Sequence, residues 1–520
     1  MSNLNLELSK NQVIKALIRD RAKFPEDFKL NICEDDEMYL FSLSNVKEDG
    51  DDGDDGDDGD DDDRERALVR YYAIGRRIRD AVKQVVDWHF GGFENVPSFL
   101  DFACGYGRFT RFLIQEMPPE QIWVSDIYAN AVKFQTEYLG VNGIVSTGKP
   151  EKYLIDRKFD CILANSFFSH IPERTFTSWL QNLYNLLTDN GILMFSVHGD
   201  CLLPSHIEMP ANGILFSAES ESQSLDKEEY GTTYVTEKFV REIVGKVSGG
   251  KAFVHRIKKG ICRFQDLYVV TNKLARDFSE LNFYHHPGGY IDVAAFTNKQ
   301  NLYLEGWAAD VNLGGRIEEV QVLVNGEVVQ RCEPFYDRRD VADYFQKEAI
   351  LQSGWNCYLP KHTVTPQDVL TVKAINNYGW EWILEICSVK SLVGQRQSQS
   401  LLGSTHEKLK LVETQLEAAK IAWEISQSKL MITGPQLEES QIKLQETQAQ
   451  LMSAHAQLEQ TQTQLVSVQM QLEQTESQLI NVKQELDRSH NRLVAMESSK
   501  FWKLRSTWFQ VKRLLGVAGE

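Results

Sequence analysis

Apolar positions along this chain change their period twice, and the changes divide it into three stretches. From about residue 64 to residue 272, short unbroken apolar runs alternate with helically spaced ones, the pattern of a parallel sheet flanked by helices. Arg64 to Trp88 reads as a helix, Phe99-Leu-Asp-Phe as a strand, Arg108 to Glu116 as an amphipathic helix and Ile122-Trp-Val-Ser as the next strand. Phe159-Asp-Cys-Ile-Leu-Ala is a further buried strand. Thr175 to Leu187 spaces Phe176, Trp179, Leu180, Leu183, Leu186 and Leu187 helically, and Asn190-Gly191 reads as its stop. Ile192 to Val197 is the following strand, and residues 200–232 are loop-like, an insertion placed to cover a substrate pocket. Thr236 to Val244 is a helix, and Phe253–Ile257 with Asp266–Val270 form a closing hairpin.

From about 290 to 390 the period becomes two. Leu302 to Ala308 and Val320 to Val324 alternate, Asn325-Gly326 is a hairpin turn, and Trp355–Leu359, Val369–Ile375 and Trp382–Ile386 follow. Short strands separated by turns predict a β-sandwich over 288–392. Trp307, Trp355, Trp380 and Trp382 are either core residues, the commoner case, or an exposed platform for sugars. Over 405–497 the period becomes seven: twelve leucines and Trp423 recur at every seventh position from Leu409 to Leu493. That is a coiled coil, long on the order of 130 Å at ~1.5 Å per residue, broken once by Gly434-Pro435. Its second core positions are mostly Thr, Ser, Ala and Val, so strand number is not legible, and a homo-oligomer is the simplest outcome.

The remaining segments are set by composition. Residues 1–47 are mixed, with a helix over Leu8–Phe24 ended by Pro25. Residues 48–63 hold twelve acids and no base in an Asp-Asp-Gly repeat, which predicts a solvated, disordered linker, since calcium repeats intersperse apolar residues that this one lacks. Without those acids the formal charge of −18 falls to −6, so no basic nucleic-acid-binding face is expected. The eight cysteines (Cys33, Cys104, Cys161, Cys201, Cys262, Cys332, Cys357, Cys387) form no C-x-x-C and no Cys/His cluster, which predicts a reducing, cytoplasmic setting and no metal. The start carries no basic and apolar leader pattern, and no run of 18 apolar residues predicts a membrane span. Residues 500–520 mix aromatics, leucines and five bases, which fits an interfacial helix at the inner face of an anionic membrane, or else a coiled-coil cap or docking peptide.

The chemistry sits where the first strand ends. Asp101 is followed by a turn of small residues, Ala103-Cys104-Gly105-Tyr106-Gly107, and then by a helix. Glycines there let backbone approach a cofactor. Asp126 ends the next strand 19 residues after Gly107, where an acid can take both hydroxyls of a ribose. The dinucleotide fingerprint G-x-G-x-x-G is absent, because Thr110 holds its third glycine position. Ala103 is tolerable in the turn if its φ stays negative.

This turn, D-x-A-C-G-x-G, resembles motif I of the class I S-adenosylmethionine (SAM)-dependent methyltransferases, D-x-G-x-G-x-G, with Ala103 for the first glycine. Asp126, the strand ending Asn165-Ser166, and the helix, turn and strand after it continue the likeness over roughly residues 66–272, within a domain set at 64–275. The resemblance implies an α/β, Rossmann-like sheet and SAM as cofactor. It implies that Asp101 orients the methionine end through Ala103, Cys104, Gly105 and Gly107. Asp126 and Ile127 would hold the nucleoside, and Asn165 and Ser166 would face the reactive side. His170 is the general-base candidate, weighed against a plain helix-start role, and His198 is the alternative. Tyr71 and Gly75 stand where related enzymes set a helix against the cofactor, with packing an equal reading for Tyr71. Gly306-Trp-Ala-Ala-Asp, Val324-Asn-Gly, Arg339-Asp-Val-Ala and Ser353-Gly-Trp resemble β-sandwich modules that accompany bacterial glycosyltransferases and polysaccharide-modifying enzymes. Similar tails occur on bacterial glycan-assembly proteins. Together these imply O-methylation of a glycan or other small acceptor. The alternative is a SAM-binding or coiled-coil scaffold without catalysis.

Overall fold

A computed structural model describes residues 11–462 apart from 21–22, 50–56, 205, 220–224, 299, 312–316, 333–334 and 431–444. The chain divides into two compact units, Met1–Asp51 with Asp60–Gln397, and Asp52–Gly59 with Ser398–Glu520.

The first unit opens with α1 (Gln12–Leu17), whose Ile14 amide donates to the Asn11 side chain at 2.9 Å. The helix expected over Leu8–Phe24 is therefore shorter: after Leu17 the Asp20 carbonyl accepts from Lys23 and Phe24 and starts a separate turn. A helix not anticipated from the sequence, α2 (Glu37–Asp49), is capped by Asp36, which accepts from the Met38 amide at 3.0 Å. α3 (Asp57–Phe90) starts inside the acidic repeat, so residues 57–63 are helical and not linker. An acidic stretch suits a helix start, where the macrodipole is positive.

The sheet follows: β1 (Phe99–Phe102), α4 (Thr110–Leu113), β2 (Ile122–Asp126), α5 (Ala129–Tyr138), β3 (Asn142–Val145), β4 (Phe159–Ala164), α6 (Glu173–Asn185) and β5 (Leu187–Gly199). Then come β6 (Ile214–Ser217), β7 (Thr232–Val235), α7 (Glu237–Ser248), β8 (Phe253–Ile261) and β9 (Gln265–Thr271). The first five strands lie in the order β3-β2-β1-β4-β5, all parallel. β9 runs antiparallel along β5 and β8 antiparallel along β9. The insertion supplies β6 and β7, and β7 pairs with the far end of β5 at His198↔Tyr234. Asn190-Gly191 does not end a helix but lies within β5, where a side chain on Gly191 would stand 2.9 Å from the Phe159 carbonyl. α4 is a single turn instead of the longer helix expected, flanked by i to i+3 bonds such as Gln115 to Phe112.

Alternation along the buried strands feeds two cores. Phe99, Val124, Cys161, Leu163, Ile192 and Met194 pack on one face with Val82 and Val85 of α3. Leu100, Phe102, Ile162, Leu193 and Phe195 pack on the other with Phe176 and Leu183 of α6 and Val240 and Val244 of α7. Each such side chain, fully buried, contributes about 1.5–3 kcal/mol.

The period-two stretch forms β10 (Gly288–Phe296), β11 (Leu302–Ala309), β12 (Ile317–Val324), β13 (Glu327–Cys332), β14 (Tyr336–Asp337), α8 (Arg339–Tyr344), β15 (Gln352–Leu359), β16 (Val369–Asn376) and β17 (Glu381–Ser388). They make two four-stranded sheets, β10-β11-β15-β14 and β13-β12-β16-β17, that share one core. Asn325 and Gly326 turn β12 into β13 with φ 51° and 84°. The tryptophans do not form a platform: Trp355 is fully buried, Trp307 packs on Phe345, and Trp382 lies under the Arg77 guanidinium, with Trp380 beside His286. Val369 and Ile386 share a cluster with Val13, Leu17, Tyr71 and Tyr72, so the outer face of the second sheet rests on α1 and α3.

α9 (Val389–Leu430) carries Val389 and Leu392 into the two-sheet core, and a helix spans 445–462. Gly434-Pro435, the heptads beyond 462 and the basic tail lie outside the described residues. Among the described residues no helix is long and apolar enough to cross a membrane.

Candidate active site

The carboxyl ends of β1, β2 and β4 open into a cavity of ≈ 370 Å³. Chain direction across the sheet switches between β1 and β4, and open α/β sheets bind ligands at that crevice. Every residue expected to bind the cofactor lines this cavity except Gly107.

The turn after β1 is more strained than the sequence implied. Ala103 has φ 56°, not a negative value, beside Gly105 at 53° and Gly107 at 83°. For an L-residue that conformation costs about 1–2 kcal/mol. Two hydrogen bonds immediately after it hold it: the Cys104 amide donates to the Ser125 carbonyl at 3.3 Å, and the Gly105 amide to Asp126 Oδ2 at 2.8 Å. Gly105 presents bare backbone, since an added side-chain carbon would find no atom within 4 Å. Gly107 serves packing, because the same carbon there would come 2.9 Å from Gln135 of α5 and from Leu139 just after it. Gln135 also donates to Cys104 Sγ at 3.0 Å, and burial, with the nearby Asp126 and Asp101 charges, pushes that thiol up.

Asp101 is 2% exposed and accepts from Thr110 Oγ1 at 2.7 Å. Burial pushes its carboxyl up to about 7; the Thr110 bond opposes this and the Asp126 charge adds to it. Asp126 accepts from the Tyr128 amide at 2.9 Å through Oδ1 and from Gly105 through Oδ2. Burial raises its pKa while these amides lower it. Each oxygen has a second lone pair for a ligand hydroxyl. Ile127, 42% exposed, adds apolar wall beside it. Asn165 Oδ1 is buried without a hydrogen-bond partner. Ser166, at φ 54°, donates its amide to the Ser196 hydroxyl oxygen at 2.7 Å and its own hydroxyl to Gln265 at 3.1 Å.

His170 is not brought to the cavity wall. It is 7% exposed, its Nδ1 lies 2.8 Å from the Gly231 carbonyl, and its ring stacks on Tyr230 at 4.8 Å. Tyr230 is the residue that lines the cavity. Burial lowers the pKa of His170, and His198, also off the wall, is pushed down to about 4 by burial and by His170. Tyr71 is likewise off the wall: it donates to Asp36 Oδ2 at 2.6 Å, and Asp36 lines the cavity.

Several lining residues were not read from the sequence. Asp36, Glu37 and Met38 come from the start of α2, Ser146–Gly148 from the loop after β3, and Thr175 and Trp179 from α6. Leu225, Asp226, Glu229 and Tyr230 come from the insertion. The Asp35-Asp36-Glu37 run is a helix-start signal, and Thr110 in a glycine's place is a second; nothing local ties either to the cavity. The wall carries six carboxylates (Asp36, Glu37, Asp101, Asp126, Asp226, Glu229) against one base, Arg108, an environment suited to a cationic ligand.

Residues 100–193 match the family described as methyltransferase domain. A 110-residue stretch is 28% identical to a malonyl-[acyl-carrier protein] O-methyltransferase of Ilyobacter polytropus, covering 20% of this chain. The chain spans 41% of the length of that curated relative. Among solved structures, a SAM-dependent methyltransferase from Clostridium acetobutylicum is 15% identical, with 39% of this chain and 94% of that one covered at a TM-score of 0.28. The plantazolicin methyltransferase BpumL in complex with SAH is 11% identical, with 52% and 100% covered at a TM-score of 0.30. Motif, acid and family match coincide on one stretch of sequence, and the chain carries a class I SAM-dependent methyltransferase domain.

Proposed function

We propose that the cavity holds SAM and that the chain transfers its methyl group to a small acceptor entering beside the insertion. One observation carries this: bare backbone at Gly105, the Asp126 carboxylate and the orphaned Asn165 Oδ1 converge on a single cavity. SAM supplies an electrophilic methyl group on a sulfonium, open to in-line displacement. The chain positions and desolvates the reactants. Asp126 takes the ribose hydroxyls, with Ile127 and Tyr128 against the base. Gly105 and the Asp101–Thr110 pair shape the turn for the methionine end. Asn165 Oδ1 and the surrounding carboxylates stabilise positive charge. Asp226, Glu229 and Tyr230 meet the acceptor, and as the sulfonium becomes a neutral thioether Asp226 takes the proton that a hydroxyl acceptor gives up, while His170 acts as a positioning residue that holds Tyr230 by stacking.

For the acceptor we propose a sugar hydroxyl in surface-polysaccharide assembly, supported by the sequence resemblance of residues 288–392 and by no contact in the site. Self-association through 405–497 and contact of 500–520 with an anionic membrane belong to the same proposal. Asp126→Ala should weaken SAM binding by about 1.5–3 kcal/mol, the scale of hydrogen bonds to a charged group. Calorimetry showing unchanged affinity would remove Asp126 from the site. SAM binding without labelled-methyl transfer to any glycan or lipid-linked acceptor would favour the scaffold reading.

A further inference from the structure

A second cavity, of ≈ 260 Å³, lies where α1 and α3 meet the β13-β12-β16-β17 sheet, and it shares no lining residue with the first. β16 shows why it is polar. Leu370, Val372 and Ala374 enter the two-sheet core, whereas the intervening Thr371 and Lys373 line the cavity. Lys373 is 8% exposed, a depth at which an ammonium needs partners. Its Nζ lies 3.2 Å from Asp20 and 3.4 Å from Glu381. Lys23 lies 2.8 Å from Asp20 and also pairs with Glu381, and Arg76 reaches Glu381 at 3.4 Å.

Three cations thus share two carboxylates. Arg76 also pairs with Asp80 at 3.7 Å, which Arg79 approaches at 3.1 Å and His286 at 2.6 Å, while Arg79 has a second partner in Glu116 at 3.2 Å. Among the described residues the cavity is lined by four bases, Arg19, Lys23, Arg76 and Lys373, against two acids, Asp20 and Glu381. The Lys23 ammonium reflects this: burial, then the Arg76 and Lys373 charges, push it down to about 7. Thr371 Oγ1 is the second mark of incompleteness, since the residue is 3% exposed and this hydroxyl is buried with no partner. Leu17, Phe24, Leu323 and Ile386 add apolar wall.

We propose that this cavity binds a phosphate group, free or on a small monoester. Its oxygens would accept from Thr371, Lys373, Lys23 and Arg76, complementing the basic lining through charge-assisted bonds. Asp20 and Glu381 hold the cations apart and in place.

Calorimetry on the full chain, at fixed pH and ionic strength, with inorganic phosphate and with glycerol 3-phosphate, tests this. Binding is expected, weakened about 10-fold or more by Lys373→Met and by Thr371→Val, which keeps the side-chain shape. Tighter binding of glycerol 3-phosphate identifies an ester as the source, and tighter binding of inorganic phosphate the free ion. No binding of either up to about 10 mM, a free energy weaker than about −3 kcal/mol, overturns the proposal. So does binding that both variants leave unchanged. If Lys373→Met fails to give a cooperative melting curve, Thr371→Val alone decides.

Discussion

Gly75→Ala separates packing from propensity by the sign of its effect. Gly75 lies in the middle of α3, where alanine is normally favoured by about 0.8–1 kcal/mol. In this structure the added carbon would overlap the Arg108 carbonyl oxygen and stand 2.9 Å from Phe112 Cε2. The oxygen is backbone in the cofactor turn and the ring is buried, so neither yields cheaply. Overpacking of this kind costs about 1–3 kcal/mol, which more than offsets the propensity gain. With overpacking in the upper part of that range the net loss is about 1–2 kcal/mol, and the variant should melt about 2–8 °C lower, at about 2–4 °C per kcal/mol for a domain of this size. Since Arg108 lines the cavity, SAM affinity should fall as well. Scanning calorimetry and a SAM titration read both effects. A variant melting at or above the wild-type temperature would show that α3 and the turn do not approach as closely as described.

Asp101→Asn should change how stability depends on pH. The folded carboxyl is held near 7 against an ordinary 3.8, so its contribution is full below about 4 and is lost as pH rises toward 7. At pH 8 the variant should be the more stable by up to about 4 kcal/mol, and a pH-independent difference between the two melting curves would refute the buried carboxyl. His170→Phe keeps a ring against Tyr230 and should retain turnover within about 3-fold, whereas a loss near 10²-fold would reinstate a proton-transfer role. Replacing Leu451 and Leu458 with lysine should lower the mass of the full chain by light scattering if the heptads self-associate; a monomeric wild type would favour a hairpin within one chain.

What the sequence revealed was what neighbours in sequence decide. Asp101, Gly105 and Asp126 stand out because strand, turn and acid occur at fixed short spacing, and Asn325-Gly326 because a tight hairpin has few solutions. Asp36 was obscure for the opposite reason: it meets Tyr71 at 2.6 Å from 35 residues away and reaches the cavity only after α2 and α3 pack. The Ala103 expectation failed because its neighbours' hydrogen bonds, including Gly105 to Asp126, dictate its backbone more strongly than its own preference. His170 drew notice as a histidine near a strand end, but its side chain is tied to Gly231, across the chain from that motif.

One rod of helix runs between the two cavities. Arg76 looks into the charged cavity and Ile78, half a turn on, into the cofactor cavity, with Gly75 seated on the turn between them. A ligand in either cavity that shifts this stretch of α3 would therefore shift it at the other cavity as well. By thermodynamic reciprocity, whatever factor the first ligand imposes on the affinity of the second, the second returns to the first. An accessory module resting on α3 would in that way set how readily the methyl donor is held, without contributing a single atom to the site that holds it.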